Sequence, residues 1–183
     1  MPHRTGAGRL GDSGCGAAGI TQVRMAEAHP LIEIRPSPIA GLGAFATRHI
    51  QKDARVIEYV GERITPAEAD ARYADASSPH QPVLLFTVDA RTVIDAGVKG
   101  NNARFINHSC EPNCEAVTER RRIWIYTLRD IEPGEELTYD YNLTGDDNFD
   151  AQAPDYACLC GTPSCRGTMY RLATDGRGNG PPR

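Results

Sequence analysis

The sequence predicts a mostly β fold with one short helix and irregular loops. Three observations carry that expectation. Short runs of alternating or β-branched residues recur through the middle of the chain, as half-buried strands do. Turn residues separate them, with 18 Gly and 13 Pro among 183 residues. One segment alone carries a full set of helix-start signals. The length allows one domain with a real core, plus tails.

Taken in order, residues 1–28 are rich in Gly, Ala and Arg without a period and are expected to be a disordered tail. Cys15 stands alone there and is assigned no role, and Met25 is a candidate true start because pattern begins just after it. Leu31-Ile32-Glu33-Ile34 alternates like a strand and ends at Arg35-Pro36-Ser37-Pro38. Gly41-Leu42-Gly43 is a glycine turn into a second strand. Residues 55–64 read as a strand broken by Gly61. Thr65-Pro66-Ala67-Glu68 then opens a helix, with Thr as N-cap, Pro at the first position and Glu closing a capping box. The helix should run to Tyr73 or Ala74. Residues 77–82 form a loop, and 83–88 with 92–96 form a hairpin around Asp89-Ala90-Arg91. Residues 123–128 are another strand, headed by Arg120-Arg121-Arg122, and 131–136 a turn. The chain from about 173 to 183 is Gly, Pro and polar, a flexible end.

Composition excludes several function classes. A net charge of -4 and a pI near 5.7 argue against nucleic-acid binding by bulk electrostatics. No apolar run reaches the length of a membrane span. Arg4 and Arg9 are not followed by an apolar stretch, so no secretory leader is expected. A soluble, intracellular protein is the expectation. Two cysteines one residue apart are poorly placed to bridge each other, so Cys158, Cys160 and Cys165 point to a metal in a reducing compartment.

The stretch at 104–114, RFINHSCEPNC, concentrates two Asn, one His and two Cys behind an apolar entry. Packing alone does not require such a mixture. A closed structural zinc site takes four ligands, and the three C-terminal cysteines are one short. Cys110 and Cys114 are the candidates for the fourth, with His108 a further possibility. Tyr139-Asp140-Tyr141 in an extended chain points both tyrosines to one face. Together with Tyr59 they would give an apolar wall with polar tips, suited to a long aliphatic side chain ending in an amine. Between Asp130 and Asp155 lie Glu132, Glu135, Glu136, Asp140, Asp146, Asp147 and Asp150 without a Lys or Arg. That is either a solvated face or a rim attracting a basic peptide.

RFINHSCEPNC, then ELTYDY, then CxCx4C followed by Arg166-Gly167, in this order and spacing, resembles the SET-domain protein lysine methyltransferases. The trithorax-like branch, with SET and post-SET parts, is the most similar, and the match covers about residues 31–170. The resemblance implies a SET-type β-clip fold of small curved sheets with a C-terminal pseudoknot. It divides the chain into a tail at 1–28, a SET domain at 29–145, a post-SET zinc segment at 146–172 and a flexible tail at 173–183. It implies S-adenosyl-L-methionine as co-substrate, touching Ala40, Gly41, Leu42, Gly43, Asn107, His108 and Leu159. It implies Tyr141 as the catalytic tyrosine, with Tyr59 and Tyr139 in the same pocket, and Cys110 completing a structural Zn2+ site with Cys158, Cys160 and Cys165.

Tyr139 stands where family members carry Tyr or Phe, which implies mono- or dimethylation and a shift upward in Tyr139→Phe. Three positions depart from the family's pattern: Ala40, where relatives often carry a polar or basic cofactor contact; Leu84, where many carry an aromatic; and Leu159, where a polar residue is usual. The resulting expectation is a monomeric, S-adenosylmethionine-dependent protein lysine N-methyltransferase acting on a histone or other basic protein, with no direct nucleic-acid or membrane partner. The alternatives are a catalytically weak SET-derived peptide-binding module and, further off, a small zinc scaffold whose tyrosines are only core.

Overall fold

The computed structural model describes residues 29–74, 84–144 and 156–171. Both expected tails, Cys15, Met25, the loop at 77–82, the boundary at 145/146 and Asp146, Asp147 and Asp150 lie outside them.

Among the described residues, ten short strands form three small sheets, with one α-helix beside them. Strands β1 (Ile32–Pro36) and β2 (Leu42–Ala46) pair antiparallel, with Pro36 opposite Leu42. Their turn closes because Ser37 N–H donates to the Gly41 carbonyl at 3.0 Å while Ser37 Oγ accepts from Ile39 N–H at 2.9 Å. Gly41 takes the left-handed φ of +47° that this turn demands.

A three-stranded sheet follows, ordered β4 (Glu62–Ile64), β6 (Thr92–Asp95), β5 (Leu85–Asp89). Helix α1 (Pro66–Tyr73) packs beside β6 and begins with the expected reciprocal box. Glu68 N–H donates to Thr65 Oγ1 at 3.2 Å, and Thr65 N–H donates to Glu68 Oε2 at 2.7 Å. Its far end is fixed by Asp95, fully buried, whose carboxylate accepts from Arg72, from the Tyr73 hydroxyl and from Gly97 N–H.

The largest sheet runs β3 (Arg55–Tyr59), β9 (Arg122–Thr127), β8 (Cys114–Glu119), β10 (Thr138–Tyr139), β7 (Asn107–His108). Ile123, Ile125 and Thr127 of β9 alternate inward and join Ile32, Ile94, Ile106, Ile131 and Leu137 in a core with almost no exposure. Of the three arginines expected to head β9, only Arg122 is in it. Arg120 and Arg121, at φ +48° and +64°, form the two-residue turn from β8, because two left-handed residues match the twist of the flanking strands.

The order of this sheet is the feature that builds the site. β7 and β8 are joined by the loop at 109–113, yet β10 lies hydrogen-bonded between them, parallel to both. The C-terminal strand is threaded between the two arms of an earlier loop, the expected pseudoknot. Asn113 locks it: Thr138 N–H donates to Asn113 Oδ1 at 2.8 Å, and Asn113 Nδ2 donates to the Glu136 carbonyl at 2.8 Å. The 3-10 turn Asn102–Phe105 leads into β7. No helix among the described residues is long and apolar enough to cross a membrane.

Candidate active site

Threading places residues 139–141 directly against Asn107 and His108, with Thr138 opposite Asn107 and Tyr139 opposite His108. An aromatic wall results. The rings of Tyr139 and Tyr141 have centroids 4.9 Å apart, Tyr141 meets the His108 ring edge-on at 5.3 Å, and Tyr59 lies 5.3 Å from Phe86. Phe86 stacks on Tyr139 at 6.2 Å and joins the two halves. Sequence reasoning missed Phe86. Its signal was weak, one aromatic in a strand whose partners come from β3 and β10, and only the folded sheets bring the three together.

The phenol protons are already committed. Tyr141 Oη donates to the Ile106 carbonyl at 3.0 Å and Tyr59 Oη to the Leu84 carbonyl at 3.1 Å. Each oxygen is left with lone pairs to offer a donor. Burial pushes the pKa of all three tyrosines up, with Glu136 adding to the effect at Tyr141 and neighbouring phenols at Tyr59 and Tyr139. At neutral pH they are hydroxyls and not phenolate bases. Leu84 therefore contributes through its carbonyl, although its side chain differs from the aromatic expected there.

Asn107 is the hub of the glycine turn. Its Nδ2 lies 2.8 Å from Glu136 Oε1, 3.1 Å from Ser37 Oγ, and 3.3 and 3.1 Å from the carbonyls of Ala40 and Leu42. Ser37 Oγ also donates to Glu136. Gly43 has no side chain for a specific reason: a Cβ there would overlap the Glu136 carboxylate and the Ser37 side chain. At Gly41 a Cβ would meet nothing within 4 Å, and Leu42 is partly exposed, so the bare surface faces outward at the tip of the turn. Sequence reasoning placed Glu136 in an acidic run and Ser37 at a strand end, and missed that the two meet, because their link spans 99 residues.

His108 is buried, and desolvation, outweighing the nearby Asp140, lowers its pKa to about 4. The ring is neutral. Its Nδ1 accepts from Tyr141 N–H at 3.1 Å, which leaves the proton on Nε2, 3.6 Å from Cys110 Sγ. A protonated Nε2 turned toward a sulfur supports a ligand and is not one itself.

The sulfurs of Cys110, Cys158, Cys160 and Cys165 all lie within 4.8 Å of one another. Metal–sulfur bonds of about 2.3 Å in a tetrahedron put sulfurs about 3.8 Å apart, and Cys110 Sγ to Cys158 Sγ measures 3.6 Å. The donor set fits a metal ion. Desolvation raises Cys158, whereas backbone and hydroxyl donors around Cys160 overcome its desolvation and bring that thiol down to about 6. Cys114 belongs elsewhere: it is fully buried in β8, and desolvation pushes it up to about 12. Leu159, between two of the clustered cysteines, is 66% exposed.

Among the described residues of the acidic run, Glu135, Glu136 and Asp140 are tied inward. Glu135 pairs with Arg129 and accepts from Asn113, Glu136 binds Asn107 and Ser37, and Asp140 binds Arg166. Asp130 and Glu132 remain outside, within 3.9 Å of His49.

Histone-lysine N-methyltransferases, H3 lysine-4 specific, are among the similar proteins: that of Schizosaccharomyces pombe is 47% identical over 73% of this chain and 14% of its own length. Those of Neurospora crassa (45% identical, 75% of this chain, 11% of its length) and Saccharomyces cerevisiae (46%, 73% and 12%) are close behind. The chain thus spans about a seventh or less of the relatives it matches. Residues 41–142, from the glycine turn through the threaded strand and its tyrosines, match the SET domain model over more than half of the chain, and the protein belongs to the SET-domain family.

Proposed function

We propose that the protein is an S-adenosyl-L-methionine-dependent lysine N-methyltransferase whose substrate is a histone tail, with lysine 4 of histone H3 as the first target to test. The convergence of Tyr59, Phe86, Tyr139 and Tyr141 beside the Asn107–His108 strand carries this reading. An aromatic wall with two acceptor oxygens accommodates the four methylenes and terminal amine of a lysine. The target named for the three relatives supports the choice of substrate, and a histone substrate places the protein at chromatin.

The lysine must arrive neutral, since its nitrogen lone pair forms the new N–C bond as the C–S electron pair returns to sulfur. Deprotonating a free lysine at pH 7 costs roughly 4–5 kcal/mol. Aromatic faces hold the ammonium by about 0.5–2 kcal/mol. Desolvation disfavours it by up to about 3–5 pKa units, the larger effect. The wall therefore favours the amine. The lone pairs of Tyr141 and Tyr59 accept the N–H bonds of that amine and aim the remaining lone pair, so positioning does most of the catalysis. S-adenosyl-L-methionine supplies a methyl group on a positive sulfonium. The turn at Ala40, Gly41, Leu42 and Gly43, fixed by Asn107, would hold it together with His108 and Leu159.

The cysteine cluster would bind zinc and so tie Cys158, Cys160 and Cys165 of the post-SET segment to Cys110 of the SET portion. Mass spectrometry of core histones incubated with the protein and S-adenosyl-L-methionine, beside Tyr141→Phe, tests the proposal. A gain of one or two methyls on H3 lysine 4, lost in the variant, is the expected result. Peptide binding without any methyl gain on any histone or on the protein itself would establish a non-catalytic peptide-binding module instead.

A further inference from the structure

We propose that Arg166 is a positioning residue for the tyrosine strand, carrying the order of the cysteine cluster into residues 139–141 through a paired grip on Asp140. This inference rests on the reading of those tyrosines as active-site groups.

Arg166 follows Cys165 directly. Its backbone N–H donates to Cys110 Sγ at 3.3 Å. Its guanidinium donates from Nη1 to Asp140 Oδ2 and from Nη2 to Asp140 Oδ1, both at 2.9 Å. One residue thus touches the sulfur cluster through its backbone and the tyrosine strand through its side chain. Both side chains of the pair are 17% exposed, against 45% and 57% for the surface pair of Arg35 and Glu33. A shielded two-point fork holds orientation as well as charge.

What the fork orients is the backbone that aims Tyr141. Asp140 lies between the two tyrosines, and its carboxylate reaches Arg166 and comes within 3.6 Å of His108 Nδ1. That carboxylate also accepts from Asn142 N–H at 3.1 Å, closing a turn in which Asn142 adopts a left-handed φ of +49°. Tyr141 N–H is held by His108 Nδ1, the other attachment on that side. Release of Asp140 leaves a strained turn immediately after the tyrosine, with one fewer anchor. Lysine cannot replace Arg166, because a point charge cannot make the two parallel bonds.

The test uses the full chain with its metal content measured, in wild type, Arg166→Gln, Arg166→Lys and Asp140→Asn. Amide exchange is read on a peptide covering 137–143, and methylation of a histone H3 tail peptide is resolved into kcat and KM. Losing a charge-assisted fork should speed exchange and lower kcat by about tenfold or more, with KM changing less than about threefold and metal content unchanged; Arg166→Lys should not recover. Asp140→Asn leaves the Arg166 backbone contact with Cys110 in place and must reproduce both effects. Wild-type exchange and kcat in Asp140→Asn overturn the inference, whatever the metal content of Arg166→Gln. If the wild type transfers no methyl group at all, the proposed function fails, and exchange alone then decides whether Arg166 orders the strand.

Discussion

Tyr141 combines three properties at one atom: its proton is held by the Ile106 carbonyl, its pKa is raised by burial, and its ring lies 4.9 Å from Tyr139. Removing its oxygen should lower kcat by about a hundredfold, the scale of losing one preorganised polar group in a dry site. The fold should survive, as the hydroxyl gives up one hydrogen bond, to the Ile106 carbonyl; methyl transfer with unchanged circular dichroism in Tyr141→Phe checks both. Tyr139→Phe should raise the proportion of higher methylation states on the product peptide, read by mass, because the hydroxyl occupies space beside the amine. The pH dependence follows from the sign of the shifts. A raised phenol pKa keeps the neutral form to higher pH, so Tyr59, Tyr139 and Tyr141 give no falling limb below their ordinary value of about 10. The substrate ammonium must lose a proton, so kcat/KM should rise from pH 7 to 9 without a maximum. A bell centred near pH 8 in that profile would contradict the assignment of neutral phenols.

Helix α1 shows how a local signal serves the site at a distance. Its capping box is local, and Thr65→Ala should cost roughly 1 kcal/mol of stability by thermal or urea unfolding. The opposite end depends on Asp95 of β6, which binds Arg72 and Tyr73. β6 pairs with β5, the strand that carries Phe86. The start of the helix is therefore set by residues 65–68, while its placement beside β6 is set by a carboxylate more than twenty residues away. The turn at Arg120 and Arg121 has the same lesson in reverse. Three consecutive arginines carry no turn signature, and the left-handed pair is imposed by the register of β9, which sets Arg122 opposite Glu119 of β8 and Ile123 opposite Tyr59 of β3, and not by local preference.

For the whole molecule, the C-terminal segment is held by the sulfur cluster and by a few polar ties: Arg166 to Asp140, Ser164 to Glu111, and the bridge between Leu143 and Tyr170. The sheet core of Ile94, Ile123, Ile125, Ile131 and Leu137 owes nothing to it. Stripping metal with a chelator should accelerate amide exchange in residues 156–171 while leaving β8 and β9 protected, and should weaken binding of S-adenosyl-L-methionine measured by calorimetry. Uniform loss of protection across both regions would instead show that metal and core unfold as one unit.

Much of this was legible in the sequence because it is local or combinatorial. Alternation placed β1, β2, β5, β6 and β9, the Thr65–Glu68 box placed α1, and the cysteine spacing identified three sulfurs of the cluster. What the residues alone left open was the fourth sulfur, and the folded chain brings Cys110 to the cluster while burying Cys114 in β8. Tertiary structure also decided β7, β8 and β10, whose pairing exists only because one strand threads between two others. It decided that Phe86 completes the aromatic wall, that Glu136 fills the space at Gly43, and that Asp140 serves Arg166 and not an acidic rim. The physical reason is separation along the chain. Periodicity and capping report forces between neighbours, whereas each of these contacts joins residues from 25 to 93 positions apart, and no local pattern encodes which distant partner a side chain will meet.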